Sequence, residues 1–250
     1  MEPISAIVIT KNEEANIARC LNSLHWVDEI ILVDSGSTDA TLAIAKRFGK
    51  VQIVQHPWEG FARNKQIAIE KTKNNWILWV DADEEVPPQL QDEISKLSPD
   101  ASTGAFALPR QTFFLAKPIR HCGWYPNYVT RLFHKEKAQL NEKILHEGIE
   151  LVSGTTLKLQ QDLHHYSYPS LESFFGKMLV YGQMNAQELQ RKGRTFSVLF
   201  LVGNPILKFL RQYLFQKGFL DGKEGLIVCM GSAFSTFLKW AFFWQMQEKK

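Results

Sequence analysis

Trp76-Ile77-Leu78-Trp79-Val80 runs straight into Asp81-Ala82-Asp83. An unbroken apolar run bounded by polar residues reads as a buried strand. Two carboxylates spaced two apart at its end offer hard oxygen ligands to Mg2+ or Mn2+, which such sites hold together with substrate phosphates. The other reading is a solvated acidic loop, because Glu84 and Glu85 follow at once. The strand context favours a site: in open α/β sheets, ligands bind beyond the carboxyl ends of the strands.

Working back toward residue 1, Ile4–Thr10 is a β-branched run and Glu29–Asp34 a second. Val51–Val54 is a third, shorter one. Helical spacing of Ile17, Cys20, Leu21 and Leu24 follows the first, with Asn12 as its expected N-cap. Helices are expected at 40–48, capped by Asp39, and at 62–73. The resulting β-α-β-α-β-α-β order predicts an α/β fold with a mainly parallel sheet flanked by helices. Asp34 and Asp81/Asp83 then end two of its strands, and Thr10 ends a third with Glu13 close by. A carboxylate such as Asp34 accepts hydrogen bonds from a ribose hydroxyl or a base N–H, or else caps its own turn. Neither a G-x-G-x-x-G fingerprint nor a P-loop lysine is present.

Working forward, 105–108 and 128–133 read as strands, and the aromatic, proline-containing segment 113–127 between them reads as a substrate loop. Residues 170–191 read as one long helix. The charge changes sign along the chain: residues 1–190 carry a net of −4 and residues 191–250 a net of +7. A net of +3 for the whole chain excludes a strongly basic nucleic-acid binder. Cys20, Cys122 and Cys229 lie far apart, which excludes a zinc cluster or disulfide framework. The first residues lack a basic, apolar leader, so the expected location is cytoplasmic. The boundary is placed at 190/191, with a basic amphipathic tail at 191–250. The apolar stretches Phe196–Leu207 and Gly225–Leu238 are each shorter than the roughly 20 residues of a spanning helix. They are expected to lie on an anionic membrane surface, or to pack on the main domain.

Three blocks together carry a family resemblance: Ile7–Glu14 (IVITKNEE), Val33–Thr41 (VDSGSTDAT) and Val80–Glu84 (VDADE). In order and spacing they resemble the signature blocks of family 2 glycosyltransferases, which have the Rossmann-like GT-A fold. Within that family the chain is similar to bacterial lipopolysaccharide-core β-glucosyltransferase-like enzymes. Those share the Gly60–Lys65 block and a basic, hydrophobic tail. The resemblance implies a nucleotide-sugar donor, a UDP-hexose by family habit, a divalent Mg2+ or Mn2+, and inversion at the anomeric carbon. It implies that Thr10, Glu13 and Asp34 line the nucleoside pocket, and that Asp83 is the main metal ligand with Asp81 beside it. Arg63 falls in a block that approaches the nucleotide, with Lys65 assisting; the other reading of both is a solvated helix face. Glu147 matches the general base and His146 beside it orients the acceptor or packs. His165 matches a late metal ligand, and Arg131 is expected to clamp the diphosphate or to form a strand-edge salt bridge. Trp124, Tyr125 and Tyr128 stack on a sugar or belong to the core. The implied acceptor is a glycolipid or lipopolysaccharide-core intermediate met at the cytoplasmic face of the inner membrane. A polyprenyl phosphate acceptor is the alternative within the same chemistry, disfavoured by the lack of two clear membrane spans. A nucleotidyltransferase is disfavoured because Thr10–Glu14 holds no glycine, and a non-catalytic membrane adaptor because Asp34, Asp81 and Asp83 are intact.

Overall fold

The computed structural model describes residues 2–141 and 148–248. The chain divides into two compact units, Met1–Arg110 with Asn127–His165, and Gln111–Pro126 with Tyr166–Lys250. Helix 171–191 belongs to the second unit, and the change of charge at residue 191 falls inside it.

The first unit is built on the parallel strands β1 (Ile4–Thr10), β2 (Glu29–Asp34), β3 (Val51–Gln55) and β4 (Trp76–Asp81). Their order in the sheet is β3-β2-β1-β4, with β1 flanked in parallel by β2 and β4. The sheet continues beyond β4 through antiparallel β8 (Asn127–His134) to β6 (Thr103–Phe114). It ends with β12 (Leu163–Tyr168) and the two-residue β5 (Glu84–Glu85).

Both faces of the central strands are apolar because both are covered. Ala6, Val8, Leu78 and Val80 pack with Ile17, Cys20 and Leu21 of α1 (Ile17–Asn22) and with Leu90 and Ile94 of α4 (Pro88–Ser95). Their neighbours Ile7, Ile31, Ile77 and Trp79 point the other way and pack with Ile67 and Ala68 of α3 (Phe61–Glu70). This two-residue alternation between two buried clusters explains why the strands read as continuous hydrophobic runs.

Two expected caps are corrected. Helix α1 begins at Ile17, and Asn12 instead takes a left-handed conformation with φ of 56°. Asn12 Oδ1 accepts from the Thr38 N–H at 2.8 Å, so the residue bridges two loops. Helix α2 (Thr41–Ala45) has Ala40 at its N-cap position, while Asp39 accepts from the Thr41 N–H at 3.0 Å in a local turn. Asn and Asp side chains compete for nearby backbone groups in this way, so both roles look alike in sequence.

The second unit contains α5 (Leu171–Arg191), α6 (Val198–Leu210), a π-helical turn Arg211–Phe215 and α7 (Gly222–Glu248). A reciprocal capping box between Ser170 and Ser173 starts α5. Helices α5 and α7 run in parallel: the Phe174 ring fills the space a side chain at Gly231 would need, and Leu238 lies against Gly182. Helix α6 returns antiparallel, with Phe200 against Trp240 at one end and Phe209 in the Phe174–Val228 cluster at the other. The two apolar tail segments are longer than their apolar stretches suggested. Val198–Phe215 and Gly218–Glu248 are helices long and apolar enough to cross a membrane by length and composition. Lys208 and Lys239 interrupt the apolar runs without interrupting the backbone hydrogen bonds.

Candidate active site at the carboxyl ends of the parallel strands

Sheet register assembles the site. Thr10 pairs with Asp34 across β1 and β2, and Ile9 pairs with Asp81 across β1 and β4. Three of the expected residues therefore stand at adjoining strand ends.

The loop after β1 and the loop after β2 are bonded to each other. The Asn12 N–H donates to Ser37 Oγ at 2.9 Å, the Glu13 N–H to Thr41 Oγ1 at 2.8 Å, and the Glu14 N–H to Asp39 Oδ2 at 3.1 Å. Glu14 Oε2 accepts from the Ala40 N–H at 2.9 Å in return. Asp34 is fully buried, and its carboxylate accepts from the Gly36 N–H at 3.1 Å, the Ser37 N–H at 3.0 Å and the Ser37 hydroxyl at 2.5 Å. It shapes its own turn. Gly36, with φ of 85°, supplies the left-handed conformation this turn requires. Thr10 is buried beside it, and its hydroxyl oxygen has no hydrogen-bond partner among the described residues. The Glu13 carboxylate accepts from Asn16 Nδ2 at 2.8 Å.

Helix α3 separates the two basic residues of the Gly60–Lys65 block. Arg63 is half exposed and pairs with Glu59 and Glu70 at 3.7 and 3.9 Å, in the position of a solvated helix face. Lys65 is buried, with Nζ 3.7 Å from the centre of the Trp79 ring. Asn64 between them is fully buried and donates to Ser35 Oγ at 2.9 Å, fixing the β2 loop to α3.

Asp81 accepts from the Trp79 indole N–H at 2.8 Å and from the Arg131 guanidinium. Burial raises the pKa of this carboxyl, but Arg131, Lys65, the indole N–H and His165 together hold it well below the ordinary range. Asp81 is therefore ionised at neutral pH. Arg131 stands on β8, between β4 and β6, and so is not a strand-edge residue. Its guanidinium also donates to Glu84 Oε1 at 2.7 Å and lies 4.0 Å above the Trp79 ring. Burial disfavours its charge, yet Asp81 and Glu84 raise its pKa above the usual value. Glu84 is fully buried, not a solvated loop acid, and accepts from the Asp81 N–H at 3.0 Å. The nearby Cys20 thiol is raised well above its ordinary pKa by burial and by Glu84, Asp83 and Asp81, so it stays protonated.

Asp83 and His165 are brought together: Asp83 Oδ2 lies 3.2 Å from His165 Nε2. Strand β12 delivers His165 by pairing it with Glu84 of β5. His165 Nδ1 is buried without a hydrogen-bond partner among the described residues. One carboxylate oxygen and one imidazole nitrogen suit Mn2+ or Mg2+ when a substrate diphosphate completes the shell. Among the described residues no group of three or more His, Cys, Asp or Glu is placed to hold a metal ion alone. Asp81, expected beside Asp83 as ligand, is turned to Arg131 and Trp79. The donor set thus fits a cation shared with substrate and not a closed protein cage. Glu147 and His146 lie outside the described residues.

The model of glycosyl transferase family 2 matches residues 5–179. The chain belongs to this family. An uncharacterized glycosyltransferase of Rickettsia felis is 34% identical, over 96% of this chain and 89% of that one. A lipopolysaccharide core biosynthesis glycosyltransferase of Rhizobium meliloti is 28% identical, over 99% of this chain and 94% of that one. Among solved structures, a mannosyltransferase from Pyrobaculum calidifontis in complex with GDP-Man and Mn2+ aligns with a TM-score of 0.54 at 14% identity. That alignment covers 98% of this chain and 86% of the other. The architecture is the α/β GT-A fold of this glycosyltransferase family. The site residues whose part in it sequence reading missed are Glu84, Asn64 and Trp79. They hold Arg131, the Ser35 turn and Lys65, respectively.

Proposed function

We propose that this family 2 glycosyltransferase is an inverting, metal-dependent hexosyltransferase. It takes the sugar from a nucleotide-sugar, a UDP-hexose, and passes it to a glycolipid of the lipopolysaccharide-core type at the cytoplasmic face of the inner membrane. The observation that carries the reading is the convergence of Thr10, Asp34, Asp81 and the Asp83–His165 pair at the strand ends. The Rhizobium relative's role in core biosynthesis supports the acceptor class, and the GDP-Man and Mn2+ of the structural neighbour support donor and metal.

The Thr10 hydroxyl and Glu13 face the nucleoside, while Asp34 holds the turn that Asn64 fastens to α3. Asp83 and His165 hold the divalent cation, which when bound neutralises charge developing on the diphosphate leaving group. Lys65 and Arg131 place fixed positive charge around Trp79. Glu147 takes the proton from the acceptor hydroxyl as its oxygen bonds to the anomeric carbon. The bond from that carbon to the diphosphate oxygen breaks, and the electron pair leaves with the diphosphate. His146 orients the acceptor beside Glu147.

Calorimetry against UDP, GDP and CMP, with and without Mn2+, tests the reading. UDP is expected to bind, and to bind more tightly with Mn2+. In Asp83→Ala its affinity falls to the metal-free value with the thermal midpoint unchanged. Absence of binding by any nucleotide, or an unchanged Mn2+ response in Asp83→Ala, contradicts it.

A second expectation concerns Thr10. Its hydroxyl is buried and unpartnered, so Thr10→Val removes an unsatisfied group at little steric cost. Stability stays within about 1 kcal/mol of wild type, while UDP affinity falls several-fold. A thermal melt and the same calorimetry check both halves. A large loss of stability would mean that the hydroxyl serves the fold.

A further inference from the structure

Helix α6 buries none of its residues, although it is apolar almost throughout. Leu199 is 81% exposed, and Phe215 in the following turn is 80% exposed. Val202, Ile206, Leu207 and Leu214 extend the same exposed surface. So many exposed large apolar residues along one helix are rare on a freely soluble monomer and mark an interaction surface. The chain on either side is cationic: Arg191, Lys192 and Arg194 precede α6, Lys208 stands within it, and Arg211 and Lys217 follow it, with no acid between residues 191 and 217. We propose that this face docks on an anionic lipid leaflet, lying in its plane and not crossing it.

Charge selects the occupant. Residues 191–250 carry a net of +7, so pressing this face against a second copy of itself would oppose like charges. Anionic headgroups complement the cations while the aliphatic and aromatic side chains enter the acyl boundary.

Packing decides between lying on the bilayer and spanning it. By length α7 is able to cross, but α5 lies parallel against it, with Phe174 on Gly231 and Leu238 on Gly182. Carrying α7 through the hydrocarbon would carry α5 with it. The α5 residues Gln183, Asn185, Gln187, Glu188 and Gln190 would then enter lipid. The turn between α6 and α7 is also fastened. Asp221 accepts from the His121 N–H at 2.8 Å and lies 2.9 Å from His121 Nδ1, and its carbonyl accepts from Lys117 Nζ at 2.6 Å. Parting the α6–α7 hairpin from this bundle would break those bonds. An in-plane seat keeps them, with the polar residues of α5 at the headgroup level. The inference rests on the proposed function only in that a lipid-borne acceptor gives the docking its purpose.

The test uses the full chain and vesicles of phosphatidylcholine with or without phosphatidylglycerol. Flotation is expected to show at least about tenfold stronger binding to the anionic vesicles, weakened by added salt. Leu199→Asp and Phe215→Asp, both at exposed positions, are each expected to lower binding by about tenfold. Lys192→Glu combined with Arg194→Glu lowers anionic binding while leaving the apolar face intact. Circular dichroism and UDP calorimetry unchanged in these variants separate loss of docking from loss of fold or of the transferase reading. Alkaline carbonate washing of cell membranes is expected to release the protein. Equal binding to both vesicle types, no response to the aspartate variants, or resistance to carbonate each overturns the proposal. So does a concentration-dependent dimer that the same aspartate variants abolish, which would assign the face to a second copy.

Discussion

Glu147→Gln is expected to lower sugar transfer by about 10²–10⁴-fold, the usual contribution of a general base, with UDP affinity and its Mn2+ response unchanged. The acids that the structure describes at the strand ends have other work. Asp34 accepts three hydrogen bonds from its own turn, Asp81 and Glu84 pair with Arg131, and Asp83 pairs with His165. A general base must keep a lone pair for the acceptor proton and lie on the face opposite the leaving diphosphate. An Asp81 held far below the ordinary carboxyl range is a poor base for a sugar hydroxyl. Single-turnover transfer together with nucleotide calorimetry measures the two halves. A loss below about tenfold would move the base elsewhere, whereas a loss of UDP binding would make Glu147 a donor-site residue.

The parallel half of the fold was legible because β1, β2 and β4 are apolar runs buried on both faces, with their acids at the strand ends. The antiparallel half was less so. Strand β6 is twelve residues long, but Pro109, Arg110 and Gln111 interrupt its apolar pattern. The fully exposed pattern of β11 (Thr155–Lys158) gives periodicity nothing to detect. Within the site, Asp81 and Asp83 were readable from their place after a strand. Glu84 was not, because Asp81-Ala82-Asp83-Glu84-Glu85 looks solvated until Arg131, 47 residues away, is brought to it by β8. For α3 a signal did exist. Ile67 and Ala68 are the buried stripe, and stepping back three and four residues reaches Asn64 from both, with Arg63 and Lys65 flanking it on either side. Helical spacing alone does not separate Arg63 from Lys65; the Trp79 ring that covers Lys65 does. For the tail, composition measured the apolar stretches, while the hydrogen-bonded helices run through Lys208 and Lys239. Which face stays exposed was then decided by the pairing of α5 with α7.

Glu84→Ala is expected to be the most destabilising single change at the site. Arg131 is 4% exposed and Glu84 is fully buried, so the substitution leaves a buried guanidinium with half of its counter-charge. It also strips the Asp81 N–H of its acceptor and Arg110 of a partner 3.5 Å away. Removing one partner of a buried ion pair costs about 3–5 kcal/mol. For a chain of this size that corresponds to a fall in Tm of roughly 10 °C. Glu84→Gln keeps an acceptor for Arg131 and for the backbone and is expected to lose less. Glu84→Leu combined with Arg131→Met removes both charges and should recover much of the stability, since apolar replacements of buried pairs are often neutral or better. The double variant is not expected to recover transfer. Without Arg131, Asp81 loses its hydrogen-bonded cation, and Lys65 and His165 are left to balance it. Denaturant unfolding of the three variants, with transfer assayed in parallel, separates the contributions. Wild-type stability in Glu84→Ala would mean that Asp81 alone satisfies Arg131. The network would then owe its charge balance to the strand-end aspartate, and Glu84 would be dispensable to both fold and site.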